Sequence, residues 1–273
     1  MGEFEFLRFV TIGQYLPTGS PIHRLDPRTR LVSGALLLAA ITVAGHLPGL
    51  LTGLLALLVL VKVARIPFAY ALRGLLPPLP FIAFLAVLQI LFGPQADTGS
   101  ILLVVGPVRL STGDLLNATM LLVRFAALVL TISLFSFCVT TRELIEGLEA
   151  LLRPLTAIGL PTHDFILMVQ VALRFLPLLA QEAERIAKAQ ASRGADWGTG
   201  RGGLLRRVRQ ALPLLVPLFL TSLRRAENLT LAMEARGYAG GKGRTSMVVL
   251  RMQLMDGAAL ALVGVLSALI ALL

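Results

Sequence analysis

Apolar residues gather along this chain into long blocks, separated by short stretches rich in arginine, proline or glycine. A helix needs roughly 17 to 25 mostly apolar residues to cross a bilayer core about 30 Å thick. Five segments meet or approach that length: residues 31–47, 50–64, 75–92, 114–139 and about 246–273. Pro48 and Gly49 turn the first block into the second, predicting a helical hairpin. The third follows Pro77-Pro78-Leu79-Pro80. Residues 93–113 then connect it to the fourth through a short β-like run, 101–110, bounded by glycines and Pro107 and too broken to cross. Arg251 and Asp256 push the apolar part of the last block toward its C-terminal end. Residues 1–30 lack the basic start, apolar core and small-residue cleavage site of a secretory signal, and read as a cytosolic lead-in.

Between residues 140 and 245 the pattern changes, with apolar stretches alternating with charged, helix-forming ones. Residues 164–180 are apolar but carry Gln170 and Arg174, and residues 212–223 carry Pro213 and Pro217. Both are predicted to be amphipathic or interfacial helices rather than further spans, with an apolar face on the membrane and Arg and Glu toward the cytosol. The expected fold is an all-α integral membrane protein with about five transmembrane helices plus a cytoplasmic or interfacial coupling domain. Its layout is a lead-in (1–30), four spans (31–139), the coupling-helix domain (140–245) and a last span (246–273).

Composition agrees: 56% of the 273 residues are hydrophobic and 15% charged, against about 25% charged in ordinary globular domains. The formal charge is +10, and its location decides what it means. Arg24, Arg28 and Arg30 precede the first span, Lys62, Arg65 and Arg73 lie between the second and third, and fifteen Lys and Arg fall within 140–245. Only Arg109 stands in an expected outer loop. Basic residues gather in cytoplasmic loops, so the N-terminus is expected inside and the C-terminus outside, and the charge needs no nucleic acid to explain it.

Few residues suggest chemistry. His23, His46 and His163 are far apart and show no metal-site spacing, so no metal is expected. No Gly-x-x-x-x-Gly-Lys-Ser/Thr phosphate loop occurs, so ATP would have to be bound elsewhere; Gly240-Gly-Lys-Gly-Arg244 reads as a connector to the last span. The single cysteine, Cys138, reads as a small packed residue. Asp26 before Pro27 predicts an N-cap for the first helix. Arg124 and Gln89 are polar groups inside spans; for Arg124 the choice lies between a functional role and pairing within the bundle.

Aligned on itself, the coupling region repeats. Ala183-Glu-Arg-Ile-Ala-Lys-Ala-Gln-Ala-Ser-Arg193-Gly194 matches Ala226-Glu-Asn-Leu-Thr-Leu-Ala-Met-Glu-Ala-Arg236-Gly237 at a shift of 43 residues. Each copy reads as a helix ended by glycine, with an arginine in the last turn where its charge complements the helix dipole. One such ending is ordinary capping. Two after matching helices suggest a docking device, because a guanidinium presents a rigid fork of donors that pairs a carboxylate in two places.

With these motifs the chain resembles the transmembrane T component of energy-coupling factor (ECF) transporters, which are bacterial ATP-driven importers of vitamins and transition metals. The resemblance rests on Ile22-His-Arg-Leu-Asp-Pro-Arg-Thr-Arg30, on Leu173-Arg-Phe-Leu-Pro-Leu-Leu, and above all on Ser192-Arg193-Gly194 and Ala235-Arg236-Gly237. It covers nearly the whole chain. It implies a non-catalytic subunit of the bacterial cell membrane, without a cofactor of its own. Two partner ABC-type ATPases would hydrolyse ATP, and a small membrane subunit would bind the substrate. The two arginine motifs would cap coupling helices that enter grooves on the ATPases, Arg193 in one and Arg236 in the other. The lead-in Gly13-Gln14-Tyr15-Leu16-Pro17 resembles T components shared among several vitamin-binding subunits. A self-contained secondary transporter is the competing reading, and it would need acidic residues or broken helices at membrane depth.

Overall fold

The computed structural model describes residues 15–92, 101–105, 108–159, 161–194, 204–240 and 250–273. Residues 13 and 14 of the lead-in and 241–244 of the basic connector lie outside the described residues. Nine α-helices appear among the described residues: α1 (Pro27–Val43), α2 (Leu47–Val63), α3 (Phe68–Arg73), α4 (Leu79–Phe92), α5 (Thr112–Cys138), α6 (Thr141–Leu152), α7 (Thr162–Ser192), α8 (Leu204–Ala235) and α9 (Leu254–Leu272). The β-like run before α5 is an antiparallel hairpin, β1 (Ile101–Val105) with β2 (Val108–Ser111), in which Leu103 pairs with Leu110 and Val105 with Val108. The fold is otherwise all-α.

The chain divides into two compact units, one comprising residues 13–151 and 249–273, the other 1–12 and 152–248. In the first, α5 packs against α1, α2 and α4, and α9 packs against α1 and α2. Leu37, Ile41, Leu50, Leu57, Val61, Leu130, Phe137 and Ile270 make its buried core. Apolar side chains gain little here by leaving lipid, so close packing holds the helices together, and glycines permit it. A Cβ on Gly49 of α2 would lie 2.5 Å from the carbonyl oxygen of Ile270 in α9.

Hydrogen bonds fix the helix directions in this unit. The Asp26 amide donates to Asp256 Oδ1 at 2.7 Å, placing the starts of α1 and α9 side by side. Arg30 Nη1 donates to the Cys138 carbonyl at 2.6 Å, bringing the end of α5 to the same place. The lead-in crosses this end as a strap: the Leu16 amide donates to the Phe137 carbonyl at 3.1 Å, and Thr18 Oγ1 to the Ala64 carbonyl at 2.7 Å, at the end of α2. Arg24, Arg28, Arg30, Lys62 and Arg65 therefore lie at or beside one end of the bundle, called here the basic end.

Boundaries differ from expectation where a cap sets them. The last helix starts at Leu254, not near residue 246, because Gln253 and Asp256 form a capping box there. The first starts at Pro27, as Asp26 before Pro27 predicts, four residues ahead of its apolar block: Asp26 Oδ1 accepts from the Arg28 amide at 3.0 Å.

In the second unit α7 and α8 pack together. Each runs unbroken for about 30 residues, through Pro177 in α7 and through Pro213 and Pro217 in α8. By length and composition α5, α7 and α9 are able to cross a membrane, with α2 and α4 as shorter apolar helices. Residues 164–180, expected to form an amphipathic or interfacial helix, lie within α7, with Arg174 in its apolar stretch.

Candidate functional site

The two arginine motifs fold as matching helix ends. α7 stops at Ser192, Arg193 is its C-cap, and Gly194 follows at φ +82°. α8 stops at Ala235, Arg236 follows, and Gly237 adopts φ +77°. The Gly237 amide donates to the Glu234 carbonyl at 2.9 Å and the Tyr238 amide to the Met233 carbonyl at 3.0 Å, the two bonds of a Schellman motif. At the first tip the Gly194 amide makes the corresponding bond to the Ala191 carbonyl at 3.0 Å. Nothing stands within 4 Å of where a Cβ would be on either glycine, so the left-handed backbone alone requires glycine there.

Both tips present their arginines to solvent. Arg193 and Arg236 are exposed, and among the described residues neither guanidinium has a hydrogen-bond or ion-pair partner. Neighbouring cations on α7 are paired within their own helix: Lys188 Nζ meets Glu184 at 2.6 Å and Arg185 meets Glu182 at 3.7 Å. Ser192 Oγ donates back to the Lys188 carbonyl at 3.1 Å, which spends the hydroxyl locally and leaves a small surface equivalent to that of Ala235.

Two contacts set the geometry between the tips. Gln190 Nε2, near the end of α7, donates to the Pro213 carbonyl in the early part of α8 at 3.4 Å. Tyr238, just past the end of α8, donates through its hydroxyl to Asp164 Oδ1 at the start of α7, also at 3.4 Å. The helices are therefore antiparallel, and Arg193 and Arg236 stand at opposite ends of the pair. About 26 residues of α7 separate Asp164 from Gln190, so at 1.5 Å per residue the tips are on the order of 40 Å apart.

A second polar assembly, not foreseen from sequence, sits at the basic end of the other unit. Arg30 Nη2 meets Glu143 Oε1 of α6 at 2.7 Å while Nη1 holds both Glu143 Oε2, at 3.3 Å, and the Cys138 carbonyl. Glu143 Oε2 also accepts from the Thr140 amide and hydroxyl at 2.9 Å each. Burial pushes the Glu143 carboxyl up, but Arg30 and the two Thr140 bonds outweigh it and hold the acid below its ordinary value. One turn further on, Gly147 of α6 lies so close to α1 that a Cβ would sit 2.6 Å from Leu31 Cδ1 and 3.2 Å from the Pro27 carbonyl carbon. Thus α6 is clamped to the start of α1.

Three charged residues within the apolar helices, Arg124, Asp114 and Asp256, have structural partners. Arg124 Nη2 donates to the Ala44 carbonyl at 2.5 Å, capping the end of α1, which is the pairing alternative for that residue. Asp256 and Asp114 sit in the first turns of α9 and α5, where each closes a capping box. His23 Nδ1 lies 2.7 Å from Ser20 Oγ, while His46 is exposed at the start of α2 and His163 lies in the first turn of α7. Among the described residues no three His, Cys, Asp or Glu side chains group to hold a metal ion.

Residues 18–247 match the cobalt transport protein family, CbiQ. The chain is also similar to proteins named energy-coupling factor transporter transmembrane protein EcfT. That of Heliobacterium modesticaldum is 40% identical over 250 residues, 92% of each chain. That of Bacillus subtilis is 39% identical over 235 residues, 86% of each. That of Thermosediminibacter oceani is 36% identical over 261 residues, 96% of each.

Proposed function

The chain belongs to the CbiQ family, as a transmembrane component of an energy-coupling factor transporter, and on that premise we propose that it couples two partner ATPases to a membrane-embedded substrate-binding subunit. The observation that carries this reading is the pair of matched helix tips. Arg193 and Arg236 have the same capped geometry, both guanidiniums are exposed and unpaired among the described residues, and they stand at opposite ends of an antiparallel helix pair. Two equivalent contacts held far apart suit two related partners better than one. Each tip, Ser192-Arg193-Gly194 and Ala235-Arg236-Gly237, would enter one ATPase and offer its guanidinium to a carboxylate there.

The rest of the reading follows from that division of labour. ATP binding and hydrolysis lie with the ATPases, so this subunit needs no cofactor and catalyses nothing. A small membrane subunit binds the vitamin or other micronutrient, and the apolar faces of α7 and α8 hold it and tilt it as the ATPases close. Residues 140–245 form the coupling region between the spans of 31–139 and 246–273, with 1–30 as the lead-in. The basic end of the bundle faces the cytoplasm of a bacterial cell, as the concentration of Arg and Lys there supports. The N-terminus is then inside.

A self-contained transporter finds little support. It would bind substrate or a coupling ion with acidic groups at membrane depth. Asp114 of α5 and Asp256 of α9 lie in first turns and are occupied by backbone amides at helix starts, Asp256 by that of Asp26 as well as its own. The test is the double variant Arg193→Glu, Arg236→Glu. It should remain in the membrane and lose copurification with the ATPases; undiminished copurification contradicts the proposal.

A further inference from the structure

From residue 31 to residue 96 the chain contains no Asp or Glu, yet it places three cations at and beside the basic end of the bundle. Lys62, Arg65 and Arg73 are all exposed, and among the described residues none of them forms an ion pair. Two nearby carboxylates are already engaged, Glu143 by Arg30 and Glu146 by Arg142. Whatever neutralises the three cations comes from outside this set of residues.

The element beside them has the composition of a membrane–water interface. α3 buries only Ala71, while Phe68 is 47%, Tyr70 45% and Leu72 51% exposed. Its depth is fixed at its end, where a Cβ on Gly74 would lie 2.8 Å from Ser133 Oγ, about one and a half turns in from the end of α5. Exposed aromatic rings and cations thus occupy one narrow level, where headgroups meet acyl chains. The Arg73 guanidinium carbon lies 5.2 Å from the centre of the Tyr70 ring. That distance is a cation–π contact, and among the described residues no hydrogen bond or ion pair uses the Arg73 N–H donors, which leaves them for an anion.

Arg65 adds a backbone signature. It ends α2 in the same manner as Gly237 ends α8, with its amide on the Lys62 carbonyl at 3.0 Å and the Ile66 amide on the Val61 carbonyl at 3.2 Å. Its φ is +56°, and it is the single non-glycine with positive φ among the described residues. Glycine would adopt that conformation without strain. An arginine held there at a steric cost is better explained by what its side chain contacts than by the turn.

We propose that Lys62, Arg65 and Arg73, with the exposed face of α3, form a binding surface for anionic phospholipid headgroups of the leaflet at the basic end. The phosphates meet the three cations, and Phe68, Tyr70 and Leu72 enter the acyl boundary beneath them. This rests on the bundle spanning a bilayer and is independent of what Arg193 and Arg236 contact.

Native mass spectrometry of the full chain, released from bilayers of equal phosphatidylglycerol and phosphatidylcholine, reads the retained lipid directly. The wild type should retain phosphatidylglycerol preferentially. Arg65→Gly should melt at or above the wild-type temperature, since strain is removed, yet lose about fivefold of that preference. The triple variant Lys62→Gln, Arg65→Gly, Arg73→Gln should show none. Arg142→Gln, at the same end but paired with Glu146, should match wild type. An unchanged preference in the triple variant overturns the proposal, and so does an equal loss in Arg142→Gln, which reduces the effect to overall charge. Loss of a copurifying membrane protein from the triple variant, with lipid retention unchanged, would assign the face to that protein instead.

Discussion

The guanidinium of Arg30 and the carboxylate of Glu143 meet in a two-pronged ion pair, with Nη2 to Oε1 at 2.7 Å and Nη1 to Oε2 at 3.3 Å, across 113 residues of chain. The Arg30 side chain is 4% exposed and that of Glu143 28%. Removing one partner of such a pair leaves a buried charge uncompensated, which costs about 3 kcal/mol. Arg30→Met also orphans the Cys138 carbonyl, so it should lower the melting temperature more than Glu143→Gln does. Thermal unfolding of the purified protein in detergent ranks the two; a larger loss in Glu143→Gln would contradict the assigned contacts.

The same pair predicts a pH dependence. Glu143 has its carboxyl lowered in the folded protein from an ordinary value of 4.5. A group lowered on folding stabilises above its unfolded value and loses that contribution as pH falls through its folded value. The difference in melting temperature between wild type and Glu143→Gln should be constant above about pH 5 and shrink as the pH is lowered beyond 4.5. A difference that instead grows on acidification reverses the sign and contradicts the assignment.

Helix packing in the bundle predicts opposite outcomes at two glycines. In Gly49→Ala the new methyl meets the backbone oxygen of Ile270 at 2.5 Å, and neither helix can yield without moving as a whole. Overpacking of this kind costs about 1 to 3 kcal/mol. Gly264→Ala in α9 meets nothing within 4 Å and should be neutral or slightly stabilising, since alanine favours helix. Melting of the two variants side by side checks the pair.

Much of the architecture was legible in the sequence because it is local. Asp26 before Pro27 announces a helix start, and Gly194 and Gly237 announce helix ends, since each acts on backbone groups within a few residues. The Arg30–Glu143 clamp and the Asp26–Asp256 contact were not legible, because pairing across 113 and 230 residues leaves no mark on local periodicity. The prolines leave the two long helices unbroken. Pro177, Pro213 and Pro217 each remove one helix hydrogen bond, which suggests an interruption, but helices as long as α7 and α8 continue on both sides of such a loss. Running unbroken, they carry Arg193 and Arg236 to opposite ends.

The tips themselves depend on left-handed glycine. Gly237→Ala keeps open space around the new methyl but strains the backbone by about 1 kcal/mol. Asparagine tolerates that conformation better, so Gly237→Asn should retain more ATPase than Gly237→Ala in copurification from membranes, with little change in melting for either. Equal retention in both would mean that the cap geometry is not what positions Arg236.

Counting ATPases per chain tests the central claim most directly, because two separate tips predict independent losses. Mass measurement of the solubilised complex should find two ATPase subunits with the wild type, one with Arg193→Glu or with Arg236→Glu, and none with both substitutions, the chain itself remaining membrane-inserted throughout. Two ATPases still bound to the double variant would contradict the assignment of Arg193 and Arg236 as the docking residues.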